Sequence, residues 1–356
     1  MFCLTKNGKT LVGNNEDWME PYAKIWTVPS QPDNYGGVYY GWSDDSPQGG
    51  MNEKGLVYDA FAMEYHQVTL SKHKKKTDPF EIIKLIMSKC ATIKEVISIL
   101  DQYDLSILET GQLMFVDKTG ASIIVEGDVI HYKEGDYQIS TNFLLSQVKD
   151  KEYPCERYNT CNKMLPESNA TIESFKNILK AAHQKGFTQY SNIYEPNEGL
   201  IYLYLFHNYE DAVVIDVKEE IKKKPKSIFM ETLFTPNPDF ITAKSEFDNS
   251  MRDKFIAIKK DPKANDPMMI VRFAGSYNRK NKIKEAFEVL KFSVKAYPDS
   301  YWPYAGLGDM YQNIGNEKQA LKYYKKAINR NQQTTELDKQ LYYGCLEEVR
   351  RLSKMR

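Results

Sequence analysis

Phe2-Cys3-Leu4-Thr5-Lys6-Asn7-Gly8-Lys9-Thr10-Leu11-Val12-Gly13-Asn14-Asn15-Glu16-Asp17-Trp18 opens the chain. Its two short apolar runs, Phe2-Cys3-Leu4 and Thr10-Leu11-Val12, flank the polar turn Lys6-Asn7-Gly8-Lys9. That pattern predicts a β-hairpin, so the chain begins inside a sheet. Strand-like runs recur at Gly37–Tyr40 and Leu56–Tyr58, and helical apolar spacing follows from Pro79 to Leu100. Leu113–Asp117, Ala121–Glu126, Val129–Tyr132 and Tyr137–Thr141 are joined by short Gly-containing turns and read as an antiparallel meander. Helices return over 157–185, and further strands are expected at Leu200–Phe206 and Ala212–Asp216. Strands, helices, strands, helices and strands again, with hairpin links, describe an α+β layered domain rather than a βαβ fold.

The chain has 356 residues, enough for two domains each with its own core. The first is placed at 1–235. A connector at 236–266 holds Pro236, Pro238 and Pro262 among mostly polar residues, with room for one helix. From 267 to 356 a helical repeat is expected. A period of 34 residues carries Tyr277 onto Tyr311 and Ala286 onto Ala320, and the second copy reads Leu307-Gly308-x-x-Tyr311, Gly315, Ala320, Tyr324, Ala327. This is the tetratricopeptide pattern, in which small residues let paired helices approach and tyrosines fill the space between them. Pro298 ends the first copy as the pattern requires, whereas Gln332 stands at the equivalent place in the second. A further helix, Glu336–Leu352, can cap the stack. A plain helical hairpin packed on the first domain remains the alternative.

Lysine plus arginine equals aspartate plus glutamate, 48 of each, so the overall charge points to neither a nucleic-acid backbone nor an anionic membrane. The lysine-rich runs at 71–76 and 222–226 read as solvated surface. No stretch approaches the roughly 20 apolar residues of a membrane span, and the first residues lack the pattern of a signal peptide. Five scattered cysteines, Cys3, Cys90, Cys155, Cys161 and Cys345, argue against a disulfide framework and against a zinc cluster. None of the five histidines stands in a metal-ligand motif, and no glycine-rich phosphate loop is present.

What remains is a constellation near the start: Cys3, Gly13-Asn14-Asn15-Glu16-Asp17-Trp18, Gly50-Met51-Asn52-Glu53-Lys54-Gly55-Leu56 and Ser140-Thr141-Asn142. With Thr188-x-Tyr190-Ser191-Asn192 and Gly199-Leu200-Ile201-Tyr202-Leu203-Tyr204, these elements resemble, in order and near separation, the N-terminal-nucleophile amide hydrolases. That family comprises choloylglycine hydrolases, penicillin V acylases and penicillin acyltransferases. The resemblance covers about residues 1–230. It implies a four-layer αββα sandwich, followed here by the helical repeat, and a small-molecule amide as substrate: conjugated bile salts, penicillin-type side chains or N-acyl amino acids.

The mechanism the resemblance implies needs no metal or organic cofactor. An N-terminal cysteine exposed by processing attacks the amide carbonyl, and its own α-amino group, titrating near pH 8, takes the thiol proton. By the same resemblance Asp17 holds that amine, Asn142 donates to the oxyanion, and Arg157 favours the thiolate. Asn14 stands where the family often has arginine, and Phe61-Ala62 fall where a substrate-contacting Asn or Tyr is common. Cys3 is the catalytic candidate, yet the family's nucleophile stands about four residues further upstream of the Asp-Trp element. Three cases are therefore open: a nucleophile ahead of Met1, with export in that longer form; Cys3 exposed by loss of Met1-Phe2; or an inactive domain.

The residues also admit plainer roles. Cys3 alternates with Phe2 and Leu4 as a core thiol would, Asp17 and Asn14-Asn15 can shape a turn, and Asn142 can cap a loop. Arg157 alone is an ordinary helix-surface residue. The rival function is an adaptor, a hydrolase fold kept as a platform while the repeat binds a protein partner, and a repeat that merely buttresses the first domain is a third arrangement.

Overall fold

The computed structural model describes residues 1–43, 46–235, 237–331 and 335–354. Pro236 and Gln332, used in the sequence argument above, lie outside the described residues. The chain divides into two units, 1–245 and 246–356.

The first unit opens with β1 (Phe2–Lys6) and β2 (Lys9–Asp17), paired antiparallel through Phe2↔Gly13 to Lys6↔Lys9. Asn7 and Gly8 both take positive φ, 53° and 77°, the conformation a two-residue hairpin turn demands of both its central residues. Next come β3 (Lys24–Val28), β4 (Gly37–Gly41), β5 (Pro47–Asn52) and β6 (Val57–Ala62), then α1 (Pro79–Lys89) and α2 (Ile93–Leu100). The single helical run expected over 79–100 is broken at Cys90–Thr92. Asp78 caps the first helix, and Thr92 with Glu95 forms a reciprocal capping box that starts the second.

The chain continues with β7 (Gly111–Val116), β8 (Ser122–Val125), β9 (Ile130–Tyr132), β10 (Tyr137–Ile139), α3 (Glu156–Met164) and α4 (Ile172–Ala182). The unit ends with β11 (Thr188–Glu195), β12 (Leu200–Leu205), β13 (Ala212–Asp216), α5 (Val217–Glu220), β14 (Ser227–Phe229) and the start of α6 (Pro238–Lys260). Two antiparallel sheets result. One has the order β10-β1-β2-β11-β12-β13, the other β14-β3-β4-β5-β6-β7-β8-β9.

The expected four-strand meander is thereby corrected. β7, β8 and β9 follow one another in the eight-stranded sheet, but β10 crosses to the other sheet and pairs with β1 through Phe2↔Ile139. The crossing is what carries Ser140, Thr141 and Asn142 to the mouth of β1.

Side-chain alternation divides the core into three layers. Met1, Cys3, Val12, Val38, Tyr40, Met51, Val57, Met114 and Ile124 pack between the sheets. Tyr39, Tyr58 and Phe115 meet α1 and α2 on the outer face of the eight-stranded sheet, while Phe2, Leu4, Leu11 and Ile193 meet α3 and α4 on the outer face of the six-stranded one. Phe2 and Phe175 lie 5.1 Å apart, and a Cβ on Gly13 would fall 2.5 Å from the Phe2 ring, so glycine is required there by close approach. Asn52, inside the Gly-Met-Asn-Glu-Lys-Gly-Leu stretch, donates to the carbonyls of Met87 and Cys90 and accepts from the Lys54 and Leu56 amides. That motif is thus a pin between β5 and α1.

In the second unit the rest of α6 is followed by α7 (Pro267–Arg279), α8 (Ile283–Ala296), α9 (Trp302–Asn313), α10 (Glu317–Ile328) and α11 (Glu336–Lys354). The segment read as a connector is largely the 23-residue α6, whose Phe247, Met251, Phe255 and Ile258, at helical spacing, join the core formed by Ile270, Ala274, Tyr277, Val289 and Leu290. Gly308 on α9 leaves room for the Tyr324 ring of α10, and Tyr311 stacks on Tyr323 at 5.3 Å. Among its described residues this unit is all-helical.

Candidate active site

A cavity of about 350 Å³ opens where β1 begins, between the ends of the two sheets. Four pieces of backbone build it. β1 and β2 bring Met1, Asn14, Glu16 and Asp17; β6 brings Asp59, Phe61 and Ala62; the segment after β10 brings Ser140, Thr141 and Asn142; and α3 brings Arg157. Trp18 and Trp42, stacked at 5.4 Å, form part of its wall with Phe80.

Hydrogen bonding fixes its polar side. Arg157 donates from Nη1 to Asp17 Oδ2 at 2.5 Å and from Nη2 to Asn142 Oδ1 at 3.0 Å. Asp17 also accepts from Thr188 Oγ1 at 2.5 Å and Gln184 Nε2 at 2.7 Å. Asn142 Nδ2 donates to the Ala62 carbonyl at 2.9 Å, and its amide has a second N–H. Beneath them the Gln112 side-chain amide donates to Ser140 Oγ and to the Thr141 carbonyl, which fixes the segment carrying Asn142. The Met1 nitrogen donates to the Ser140 carbonyl at 3.0 Å, and burial pushes that amine below its ordinary value.

Six of the seven sequence-derived candidates meet here: Asn14, Asp17, Phe61, Ala62, Asn142 and Arg157. Cys3 does not line the cavity. Its side chain is wholly buried between the sheets, Sγ lies 3.4 Å from Ser122 Oγ, and burial raises its thiol above the ordinary range. Met1 directly precedes β1, and its side chain packs in the same core cluster as that of Cys3, two positions on. Met1 lines the cavity, whereas Cys3 does not.

Asn14 Nδ2 donates to Glu16 Oε2 at 3.3 Å. Asn15 also lines the cavity, and its side-chain amide donates to the Leu179 carbonyl at 2.9 Å.

Two acids of the cavity were not singled out from the sequence. Burial, reinforced by the charge of Asp59, holds the Glu16 carboxyl well above its ordinary value, and burial likewise lifts Asp59, countered by the Met1 amine. The available signal was alternation: Val57, Asp59 and Phe61 share the inward face of β6, where an acid is out of place. Among the described residues no cluster of His, Cys, Asp or Glu could hold a metal ion, and no helix is long and apolar enough to cross a membrane.

A family model described as acyl-coenzyme A:6-aminopenicillanic acid acyl-transferase matches residues 3–221. Among solved structures, penicillin V acylase from Agrobacterium tumefaciens aligns with a TM-score of 0.51 at 15% identity, over 64% of this chain and 90% of that one. A mutant of the conjugated bile acid hydrolase from Clostridium perfringens aligns with a TM-score of 0.51 at 18% identity, over 66% of this chain and 98% of that one. At such identities the structural likeness speaks for the fold. No curated protein matches the sequence.

Proposed function

The chain belongs to the acyl-coenzyme A:6-aminopenicillanic acid acyl-transferase family, and from that premise we propose that its first unit breaks a linear carbon–nitrogen amide bond through an N-terminal cysteine, passing the acyl group to water or to another amine. The observation that carries the reading is the convergence of Asp17, Asn142 and Arg157 on the cavity into which β1 opens. An N-terminal residue placed there has the carboxylate and amide groups such a reaction needs within one hydrogen-bonded set.

The chemistry runs in two halves. The α-amine takes the proton of its own thiol, and the thiolate adds to the amide carbonyl. The oxyanion receives the second N–H of Asn142, the amine departs with the proton, and water or a second amine then releases the acyl group from sulfur. Arg157, tied to Asp17 and Asn142, holds both in place and adds positive charge beside the thiolate.

Cys3 enters this scheme only after Met1 and Phe2 are removed, since Met1 and not Cys3 lines the cavity; the other case is a cysteine ahead of Met1 in a longer form of the chain. The substrate classes remain those of the resemblance: conjugated bile salts, penicillin-type side chains and N-acyl amino acids. The adaptor reading is favoured by one observation, that the Cys3 thiol is sealed from the cavity in the chain as it stands. In that case the second unit, read as tetratricopeptide-like repeats over 267–356, would carry the binding of a protein partner.

Intact-mass and N-terminal analysis of the protein expressed from its natural gene, with a cysteine-directed acylating probe, decides between them. A mature chain that begins at cysteine and takes up one acyl group supports the enzyme. An unprocessed and unlabelled chain sinks it.

A further inference from the structure

The eight-stranded sheet borders a second cavity, on its outer face. It encloses about 450 Å³ between β3–β6 and α1, and its walls include Trp26, Tyr35, Tyr39, Tyr58, Phe80 and Ile83. Strand alternation sets it opposite the candidate active site, for Tyr58 lines this cavity while its neighbour Asp59 lines the other. Among the described lining residues Phe80 alone is common to both.

Five of those six side chains are aromatic, and the sheet is shaped to bring one of them close. A Cβ on Gly50 would fall 2.6 Å from the Tyr39 ring and one on Gly37 2.9 Å from its hydroxyl, so glycine at both positions lets Tyr39 lie against the sheet as a floor. The far end is held too. The Tyr35 amide donates to the Ser88 carbonyl at 2.9 Å and Lys89 Nζ to the Asp33 carbonyl at 2.5 Å, which ties the β3–β4 loop to the end of α1. The polar groups of the lining answer one another: Glu81 pairs with Lys84 at 3.8 Å, the Asn34 amide reaches Gln31 Oε1 at 3.5 Å, and Ser88 Oγ donates to the Leu85 carbonyl at 3.0 Å. Glu81 and Lys84 are the charged residues of the described lining, and they cancel.

We propose that this cavity is a second binding site, for an uncharged aromatic molecule that packs on the rings walling it. Cavities of about 300–1,000 Å³ with apolar and aromatic walls suit small organic ligands, and ring-on-ring contact favours an aromatic one over an aliphatic one of equal area. A charged ligand would give up its hydration and find no unpaired counter-charge in the described lining. The site does not depend on the amide-cleaving reading.

The test titrates the full-length protein with N-phenyl-1-naphthylamine, a neutral aromatic probe whose fluorescence rises in apolar surroundings, and separately with its anionic relative anilinonaphthalene sulfonate. The neutral probe is expected to bind saturably at one equivalent, at least about tenfold more tightly than the sulfonate. Val28 lines the cavity from an exposed position, so Val28→Trp can fill space there without disturbing the core, and it is expected to weaken binding by about tenfold. Tyr35→Ala, which removes a wall, should weaken it by several-fold. Phe61→Ala, in the candidate active site, should leave it within about twofold. Unsaturable binding, equal or tighter binding of the sulfonate, indifference to both Val28→Trp and Tyr35→Ala, or a loss that follows Phe61→Ala instead overturns the proposal. Because no turnover is read, a chain that takes up no acyl group yet binds the neutral probe in this pattern keeps the second site and loses only the enzymatic reading.

Discussion

Arg157 and Asp17 stand 140 positions apart in sequence and meet at 2.5 Å, Nη1 to Oδ2. The pair ties the first turn of α3 to the end of β2, and the second guanidinium nitrogen extends the tie to Asn142. Both side chains are mostly buried, 28% and 13% exposed, so the pair lies between surface bridges worth under about 1 kcal/mol and buried ones whose breaking costs about 3–5 kcal/mol. Asp17 keeps Thr188 and Gln184 as partners when the arginine is lost. Arg157→Ala is therefore expected to lower unfolding free energy by about 2 kcal/mol in urea titrations. Arg157→Lys retains the charge but cannot bridge Asp17 and Asn142 together, and is expected to recover about half of that loss in the same titrations.

Asn142 offers a different separation. It is exposed, and its Nδ2 reaches only a backbone carbonyl on β6. Under the proposed function, Asn142→Ala removes an oxyanion donor and should lower kcat by about a hundredfold to a thousandfold with little change in KM. The unfolding midpoint should move by less than the equivalent of about 1 kcal/mol. A rise in KM with kcat unchanged would assign Asn142 to substrate binding instead.

Much of this arrangement was legible from local pattern. The Asn7-Gly8 turn and the hairpin it closes follow from residue chemistry within a few positions, whereas the break between the two helices, set by the Thr92 and Glu95 capping box, was hidden by apolar spacing that runs on through it. The departure of β10 to pair with β1 was hidden too, because Tyr137–Ile139 alternates equally well for either sheet and the choice is made by partners more than a hundred positions away. β14, only Ser227–Phe229, is too short to show a period. The site divides in the same way. Asp17, Asn142 and Arg157 stood out through a family pattern, whereas Glu16 and Asp59 are meaningful only once two sheets close over them.

Those two acids make stability depend on pH in a direction opposite to ordinary acid unfolding. Burial lifts Asp59 from 3.8 to about 7, so above pH 4 the folded chain holds a proton that the unfolded chain has released. Stability contributed this way is largest below the unfolded value and falls as pH rises through the window from about 4 to about 7, by on the order of 4 kcal/mol. Glu16 shifts in the same direction. Asp59→Asn should then match the parent near pH 4 and exceed it by several kcal/mol near pH 8 in urea titrations at fixed ionic strength. A variant less stable than the parent at both values would show that Asp59 is held ionised by a partner.

Gly308 sets two rules against each other. In the middle of α9 a glycine is about 1 kcal/mol worse than alanine for helix formation, so Gly308→Ala ought to stabilise on propensity alone. Its Cβ, however, would fall 2.5 Å from two carbons of the Tyr324 ring. That ring cannot swing aside cheaply, because its hydroxyl shares its one proton between Asp309 Oδ1 at 2.8 Å and Gln312 Oε1 at 2.6 Å and its body is buried between α9 and α10. Overpacking of this kind costs about 1–3 kcal/mol and outweighs the propensity gain. Gly308→Ala is therefore expected to lower the melting temperature of the full-length protein, and Tyr324→Phe, by freeing the ring from its two acceptors, to relieve part of the loss when the two are combined. Strict additivity of the two substitutions in thermal unfolding would mean that the hydroxyl does not pin the ring, and that the helices part instead.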